Sequence, residues 1–259
     1  MLFRSNDTAT TEIYTPTTLF PYTTLFRSGG KVYLLILCDG SAGYSTPEER
    51  ETIVATRRAE TLAAYRALGL DACHILRCDY PDFSLAAYLG LRLADGSPGT
   101  MRRILPDLRR LRVTRLLLPN GYREHADHEA TERIGRYDGP QVGDPVLADL
   151  GQAAPVRSLP QYAVWGDFSP EDALVHGRSS GLRANRALLA PAGAEERVVE
   201  GLRAFRSQAR IIEGLVAARE ARRHGECCLE VYLSFDPRPA LDYEPYYAAI
   251  EEIATRSNL

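Results

Sequence analysis

Residues 32–43 read VYLLILCDGSAG, and this stretch decides the fold class of the chain. Its first seven residues, 32–38, are all apolar. Because successive side chains of a β-strand point to opposite sides, an unbroken apolar run indicates a strand buried on both faces. Such strands are typical of parallel sheets that carry helices on either side. The residues that follow, Asp39 to Gly43, predict a turn at the carboxyl end of this strand.

Helix and strand signals alternate through the rest of the first half. Thr46 before Pro47 predicts an N-cap and a first helical residue, and Gly69 predicts the end of that helix. The later segments are a strand over 73–76, a helix opened by Pro98 and Gly99, a strand over 115–118, and a helix entered at 125 and running through Ile134. This order predicts an α/β fold, a Rossmann-like three-layer sandwich with a mostly parallel sheet. Ligands of such sheets bind beyond the carboxyl ends of the strands.

The second half is less regular. Gly, Pro and Asp are frequent over 138–155, which predicts a surface loop. A strand follows over 156–165, where Tyr162 and Trp165 are candidates for core packing or for lining a pocket. Residues 195–219 show the apolar spacing of one long amphipathic helix, and 229–235 predict a last strand.

Composition excludes several classes of protein. The formal net charge is −3 and the arginines are interleaved with acids, so no basic stripe marks a nucleic-acid partner. No apolar run approaches the ~20 residues that a membrane-spanning helix needs. The five cysteines form neither a disulfide framework nor a zinc-ribbon spacing, which fits a reducing compartment. We therefore expect a soluble, cytoplasmic protein, and a homo-oligomer is compatible with this composition.

Residues 1–30 differ in character from the rest. They hold eight threonines and two internal duplications: Leu-Phe-Arg-Ser at 2–5 and 25–28, and Thr-Thr-Leu-Phe at 17–20 and 23–26. This sequence resembles translated sequencing-adapter DNA. It has no continuous apolar segment of the kind that a secretory signal requires. We interpret 1–30 as a non-native, disordered leader and 31–259 as the domain. The alternative is a natural disordered leader.

The residues 125–128, His-Ala-Asp-His, carry the strongest chemical signal. Two histidines at i and i+3 near a helix start lie on one side of the helix, where both reach one point. An aspartate between them can orient an imidazole that binds a metal ion. Imidazole and carboxylate groups are common ligands of Zn²⁺. The alternative is a charged, solvated helix start, since Glu124, Glu129 and Glu132 flank the motif.

Five segments, taken in order, resemble the LmbE/PIG-L family of zinc-dependent N-deacetylases. The segments are Cys38-Asp39-Gly40, Arg57-Arg58-Ala59-Glu60 in a helix ending at Leu68-Gly69, Tyr80-Pro81-Asp82, His125-Ala126-Asp127-His128, and a helix from Arg203 ending in Ser207-Gln208. The resemblance spans residues 31–235. It implies that the protein removes an acetyl group by hydrolysis of an amide bond. The substrate would be an N-acetylated sugar of the N-acetylglucosaminyl type or a sugar conjugate.

The resemblance also implies roles for individual residues. His128 would be a zinc ligand, and His125 would stabilise the oxyanion or protonate the leaving amine. Asp127 would orient its histidine neighbour. Arg57 and Asp82 would contact the sugar of the substrate. The alternatives are an ion pair between Arg57 and its neighbour Glu60, and a simple turn residue at Asp82.

One part of the family pattern is absent from this sequence. The family's other two zinc ligands lie in an Ala-His-Pro-Asp-Asp-Glu motif at the end of its first strand, and no such motif occurs here. The run at 32–38 matches the family's second strand, so we expect that the first strand is missing by truncation. Since a catalytic zinc site generally has three protein ligands, we expect this chain to be inactive.

Other functions stay open at this stage. Within the family the substrate could instead be a thiol conjugate, a glycolipid or an antibiotic intermediate. A non-catalytic α/β module that binds a sugar is the alternative from a different class. The turn at 40–43 lacks the Gly-x-Gly-x-x-Gly pattern of dinucleotide sites, and no Gly-x-Ser-x-Gly elbow indicates a serine hydrolase.

Overall fold

The computed structural model describes residues 2–3, 31–164, 166–171 and 182–257. Its strands are β1 (Leu2–Phe3), β2 (Tyr33–Cys38), β3 (Ile75–Tyr80), β4 (Leu118–Pro119), β5 (Leu159–Tyr162), β6 (Arg186–Pro191), β7 (Arg223–His224) and β8 (Cys227–Phe235). Its helices are α1 (Ile53–Ala67), α2 (Thr100–Arg110), α3 (Ala126–Arg133), α4 (Ala192–Arg203), α5 (Ala209–Glu220) and α6 (Glu244–Ser257).

Strand β2 confirms the prediction made from the apolar run. Its central side chains, Leu34 to Leu37, are at most 2% exposed although they alternate between the two faces of the sheet. Both faces of β2 are therefore covered, as a three-layer arrangement requires. These residues belong to one continuous core that also takes in Tyr65 of α1, Leu105 of α2 and Leu202 of α4.

The strand pairings confirm the α/β class. Strand β2 pairs in parallel with β3, and β4 pairs in parallel with β5. The C-terminal strands add antiparallel pairs, because β8 runs antiparallel to β5, β6 and β7. In the described part of the chain the strand orders are β1-β2-β3 and β4-β5-β8-β6, with β7 on β8.

The predicted leader falls mostly outside the described residues. Its two described residues form β1, which pairs antiparallel with β2 through Leu2 opposite Leu34 and Phe3 opposite Tyr33. The boundary at residue 31 stays a prediction.

The helix predicted after Thr46 begins as a 3-10 turn, Pro47–Glu51, and continues as α1. The Glu49 carboxylate accepts a hydrogen bond from the backbone N–H of Thr46 at 3.2 Å. Gly69 lies just past the end of α1 with φ +80°, a conformation that glycine adopts without strain.

The strand predicted over 73–76 was placed too early, since β3 runs from Ile75 to Tyr80. The preceding residues form a 3-10 turn, Ala72–His74, closed by a backbone bond from His74 N–H to the carbonyl of Asp71. The later strand predictions hold with different lengths: β4 and β5 are shorter than 115–118 and 156–165, and β8 is longer than 229–235. Tyr162 is buried in the core, and Trp165 lies outside the described residues.

The single helix predicted over 195–219 was wrong. The segment forms two helices, α4 and α5, separated by a 3-10 turn, Arg206–Gln208. At this break the backbone N–H of Ser207 donates to the Glu60 carboxylate at 2.6 Å. A contact with a distant acidic side chain thus replaces helical bonding, which amphipathic spacing alone does not reveal.

The surface loop predicted over 138–155 was wrong in part. Val142 is fully buried and Leu150 is 7% exposed, and two short 3-10 turns, Gly139–Gly143 and Ala148–Leu150, organise the segment. Helix α6 was not predicted, and its described side chains are exposed. None of the helices in the described ranges is long and apolar enough to cross a membrane.

Candidate active site

The five residues singled out by the sequence line one cavity of about 330 Å³. They are Arg57, Asp82, His125, Asp127 and His128. The cavity lies beyond the carboxyl ends of β2 and β3, where Cys38 and the turn at 39–43 also contribute to its wall. We call it the site cavity. Its position matches the crevice expected of a parallel α/β sheet.

Asp82 braces the turn that follows β2. Its carboxylate accepts hydrogen bonds from the backbone N–H groups of Gly40 at 3.2 Å and Ala42 at 3.1 Å. Burial raises the pKa of Asp82, and these two hydrogen bonds oppose the shift. Gly40 has φ +82°, and a Cβ there would lie 3.1 Å from Cγ of Arg57. The turn therefore needs glycine both for its backbone conformation and for the close approach of α1.

Arg57 forms the ion pair that was the alternative for it, and its contact with a sugar stays a prediction. Its Nη1 lies 3.4 Å from Oε2 of Glu60, so the ion pair exists, and the same side chain lines the site cavity. The guanidinium carbon stacks 4.8 Å from the ring centroid of Phe205. Burial lowers the pKa of Arg57, and the nearby Glu60 opposes the shift. The cation is thus held in place at the cavity wall.

His125 is the N-cap of α3, and its orientation is set locally. Its Nδ1 accepts a hydrogen bond from the backbone N–H of Asp127 at 3.1 Å. A ring nitrogen that accepts carries no proton, so the neutral imidazole has its proton on Nε2. His125 also packs edge-on against Phe83, with ring centroids 4.2 Å apart. The side chain therefore offers one N–H donor at the cavity.

The Asp127 carboxylate is used mainly to hold the loop after β3. It accepts from the backbone N–H groups of Phe83 at 2.7 Å and Leu85 at 3.2 Å. Its Oδ2 lies 3.8 Å from Nδ1 of His125, beyond hydrogen-bond distance. Asp127 thus orients His125 through its backbone N–H. Its expected catalytic role stays a prediction.

The orientation of His128 is set by Glu124, a residue that had no predicted role at the site. Nδ1 of His128 lies 3.0 Å from Oε2 of Glu124, whose side chain is fully buried. The other carboxylate oxygen accepts from the backbone N–H groups of Val164 at 2.8 Å and Gly166 at 3.2 Å. This leaves Nε2 of His128 available for a ligand. The i, i+4 spacing of Glu124 and His128 is the signal that indicates this contact, whereas the sequence analysis used Glu124 only in support of the alternative, a solvated helix start.

The Ser207-Gln208 pair reaches the same cavity from far along the chain. Glu60 accepts from both the backbone N–H and the hydroxyl of Ser207, 147 residues away, at 2.6 and 2.7 Å. The Gln208 side-chain amide donates to the carbonyl of Gly43, in the turn after β2. All five segments that resembled one family thus meet around the site cavity.

A group of candidate metal ligands lies in the cavity wall. The ligand atoms of Cys38, Asp82 and Asp127 lie within 4.8 Å of one another. Sulfur and carboxylate oxygen are both ligands that Zn²⁺ accepts. Burial, followed by the charges of Asp127 and Asp82, raises the pKa of the Cys38 thiol far above its ordinary value. A cation would offset this concentration of negative charge.

Comparison with solved structures supports the fold. N,N'-diacetylchitobiose deacetylase from Pyrococcus horikoshii aligns with a TM-score of 0.64 at 16% identity, over 87% of this chain and 82% of that one. The conserved protein TT1542 from Thermus thermophilus aligns with a TM-score of 0.60 at 24% identity, over 89% and 94%. GalB, the 4-carboxy-2-hydroxymuconate hydratase of Pseudomonas putida, aligns with a TM-score of 0.57 at 16% identity, over 85% and 90%. At these identities the likeness shows the fold alone.

Comparison with curated proteins finds no match. Comparison with family models finds a match to part of the chain. Residues 21–137 match the model of the family PIG-L, GlcNAc-PI de-N-acetylase. The matched range contains Arg57, Asp82 and the motif at 125–128, which the structure brings to one cavity. Residues 21–137 thus match the family that the sequence motifs indicated.

Proposed function

We propose that this domain is built to remove an acetyl group from an N-acetylated sugar or sugar conjugate in a zinc-dependent hydrolysis, and that this chain as it stands is inactive. The convergence of five separated sequence segments on one cavity carries the proposal. The family match and the fold shared with a chitobiose deacetylase support it.

The residues at the cavity fit a divalent cation. His128 has Nε2 available because Nδ1 is bound to Glu124, and the histidine ligands of metals typically make such a second bond. Cys38, Asp82 and Asp127 offer further oxygen and sulfur atoms in the same wall. When bound, a zinc ion polarises a carbonyl and lowers the pKa of a water molecule.

The other side chains supply binding and proton transfer. In the neutral tautomer, Nε2–H of His125 would donate to the oxygen that becomes negative when the acetamide is attacked. Arg57 and Asp82, which also line the cavity, would hydrogen-bond the hydroxyls of the sugar. We assign the general base to none of the described residues.

Inactivity follows from the ligand count. The sequence holds one residue, His128, that matches a zinc ligand of the family, and a catalytic zinc site generally needs three. The carboxylates of Asp82 and Asp127 already accept backbone hydrogen bonds, so they do not replace the missing ligands. We expect the purified chain to contain less than one zinc per molecule and to release no acetate from N,N'-diacetylchitobiose. Elemental analysis and an acetate assay with added Zn²⁺ measure both. Stoichiometric zinc with acetate release would overturn the inactivity, and a wider panel with thiol conjugates would then identify the substrate.

A sugar-binding protein without hydrolysis is the second candidate. It is favoured by the carboxylates of Asp82 and Asp127, each of which already accepts two backbone hydrogen bonds. In both cases the five free cysteines support a reducing, cytoplasmic location, and the partner is a small molecule.

Sugar binding can be tested without turnover. We expect N-acetylglucosamine to bind, and Arg57→Ala to weaken binding about tenfold or more, because a charge-assisted hydrogen bond contributes about 1.5–3 kcal/mol. Arg58→Ala is the matched control, since Arg58 is half exposed and pairs with Asp79. Titration calorimetry measures the affinities. Equal affinities for the two variants would contradict a sugar contact at Arg57.

A further inference from the structure

A second cavity, larger than the site cavity, lies on another side of α3. Its volume is about 700 Å³, within the range of small-molecule sites. Helix α3 separates the two cavities: Asp127, His128 and Thr131 face the site cavity, whereas Glu129 and Glu132 face the second one. The floor of the second cavity lies near the carboxyl ends of β4 and β5, again at the edge where ligands of α/β sheets bind.

The lining of this cavity is polar and aromatic. It includes Gln161 from β5, whose amide nitrogen already donates to Glu132 at 2.8 Å, the tyrosines Tyr122 and Tyr137, and Ser169. The Tyr137 side chain is 65% exposed although it borders a cavity. The tyrosine hydroxyls and the exposed ring of Tyr137 are suited to a ligand that carries several hydroxyl groups.

Asp138 is the unusual member of the lining. Among the described residues its carboxylate has no hydrogen bond and no ion pair. Burial alone raises the pKa of Asp138 to about 6. A half-buried carboxylate without a partner is costly when ionised, so it gains from a ligand that brings a donor or a positive charge.

The two arginines that line this cavity pair with other acids. Arg133 pairs with Glu129 at 2.9 Å, and Arg136 pairs with Glu132 at 2.9 Å while stacking on Phe235. The titratable and charged groups around the cavity are Glu129, Glu132, Arg133, Arg136, Asp138, Tyr122 and Tyr137. Both glutamates thus have arginine partners, and Asp138 is the acid left for a ligand.

We propose that the second cavity binds a small amino sugar, with its ammonium group against Asp138 and its hydroxyls against the polar lining. An ammonium supplies the charge that a carboxylate in a poorly solvated position needs. The ring of Tyr137 offers an additional face for the cation or the sugar ring. The site is independent of the proposed deacetylation, since none of its residues contributes to the site cavity.

The test uses glucosamine hydrochloride and N-acetylglucosamine as probes, with chemical-shift mapping and titration calorimetry at pH 7. We expect glucosamine to bind and Asp138→Asn to weaken it at least about tenfold. Asp149→Asn is the control, an exposed acid whose partner is Arg102. Tyr137→Ala, at an exposed position, provides a second variant and is expected to weaken binding by a few-fold.

The pH dependence has a defined sign. With a pKa of about 6, roughly a tenth of the Asp138 carboxyl is ionised at pH 5 and roughly nine tenths at pH 7. The affinity for glucosamine should therefore rise about tenfold from pH 5 to pH 7, and the Asp138→Asn variant should lose this rise. Absence of glucosamine binding, or equal binding by wild type and Asp138→Asn, overturns the proposal.

The outcomes separate this site from the site cavity. Arg57→Ala should lower the affinity for N-acetylglucosamine and leave the affinity for glucosamine unchanged. Asp138→Asn should lower the affinity for glucosamine and leave that for N-acetylglucosamine unchanged. If both ligands respond only to Arg57→Ala, the second cavity is not an amino-sugar site. If N-acetylglucosamine fails to bind while glucosamine binds through Asp138, the proposed deacetylase fails and the present inference stands.

Discussion

Replacement of Arg109 by methionine should lower the free energy of unfolding by about 3–5 kcal/mol, enough to unfold many domains. Arg109 lies on α2 and is 2% exposed. The five N–H groups of its guanidinium contact six backbone carbonyls of the segment after α3, because the two N–H groups of Nη2 are shared among three acceptors. The acceptors are the carbonyls of Gln141, Val142, Asp144, Val146, Leu147 and Gly151, at 2.7 to 3.3 Å.

The expected size of the effect follows from what methionine leaves behind. Six carbonyls would lose their donor in a segment whose residues Val142 and Leu150 are buried. Each unsatisfied buried polar group costs about 1–3 kcal/mol, and relaxation toward water recovers part of that. Urea denaturation followed by circular dichroism measures the loss.

Two variants separate the causes. Arg110→Met is the matched control, because Arg110 is largely exposed and pairs with Asp107 on the same helix. Surface pairs of this kind contribute about 0–1 kcal/mol. Arg109→Lys keeps the positive charge but loses the planar guanidinium group. Its loss of stability should therefore lie between those of Arg109→Met and Arg110→Met. If Arg109→Met and Arg110→Met lower stability equally, the six bonds do not hold the segment.

The Arg109 contacts also explain why 138–155 was mistaken for a surface loop. Its Gly, Pro and Asp content correctly indicated irregular backbone, but a single arginine 32 to 42 residues away satisfies that backbone. Local composition reports which backbone conformations are favoured. It does not report which distant side chain supplies the hydrogen bonds, so the burial of Val142 could not be predicted.

The parts of the site that could be predicted are those set by local chemistry. The apolar run of β2, the glycine turn after it and the helix start at His125 each follow from neighbouring residues. Their meeting at one cavity follows from the rule that parallel strands align their carboxyl ends. The spacing of Glu124 and His128 allows their contact, but it does not show that Glu124 is held there by the distant backbone N–H groups of Val164 and Gly166.

The break between α4 and α5 shows the same limit and leads to a second large effect. Replacement of Glu60 by alanine should lower the free energy of unfolding by about 2–4 kcal/mol, because it removes a carboxylate that accepts two hydrogen bonds from Ser207. Glu60 is 8% exposed, so water replaces these bonds poorly. The exposed Glu196→Gln on α4 is the control and should change stability by less than about 0.5 kcal/mol.

A double-mutant cycle assigns this effect to the Glu60–Ser207 contact. Ser207→Ala removes the hydroxyl bond and keeps the backbone bond, so it should cost about 1 kcal/mol. If the two side chains did not interact, Glu60→Ala would lower the free energy of unfolding equally in the wild type and in the Ser207→Ala variant. We expect a coupling energy of about 1 kcal/mol instead. Urea denaturation of the four proteins provides the numbers.

The same variants connect the helix break to ligand binding. Glu60 holds Arg57 as well as Ser207, and the next residue, Gln208, donates to the carbonyl of Gly43 in the cavity wall. Loss of Glu60 should therefore release Arg57 and the turn after β2 together. We expect Glu60→Ala to weaken N-acetylglucosamine about as much as Arg57→Ala does, while Ser207→Ala has a smaller effect. If Glu60→Ala lowers stability but leaves the sugar affinity unchanged, the contact serves the fold alone and does not position Arg57.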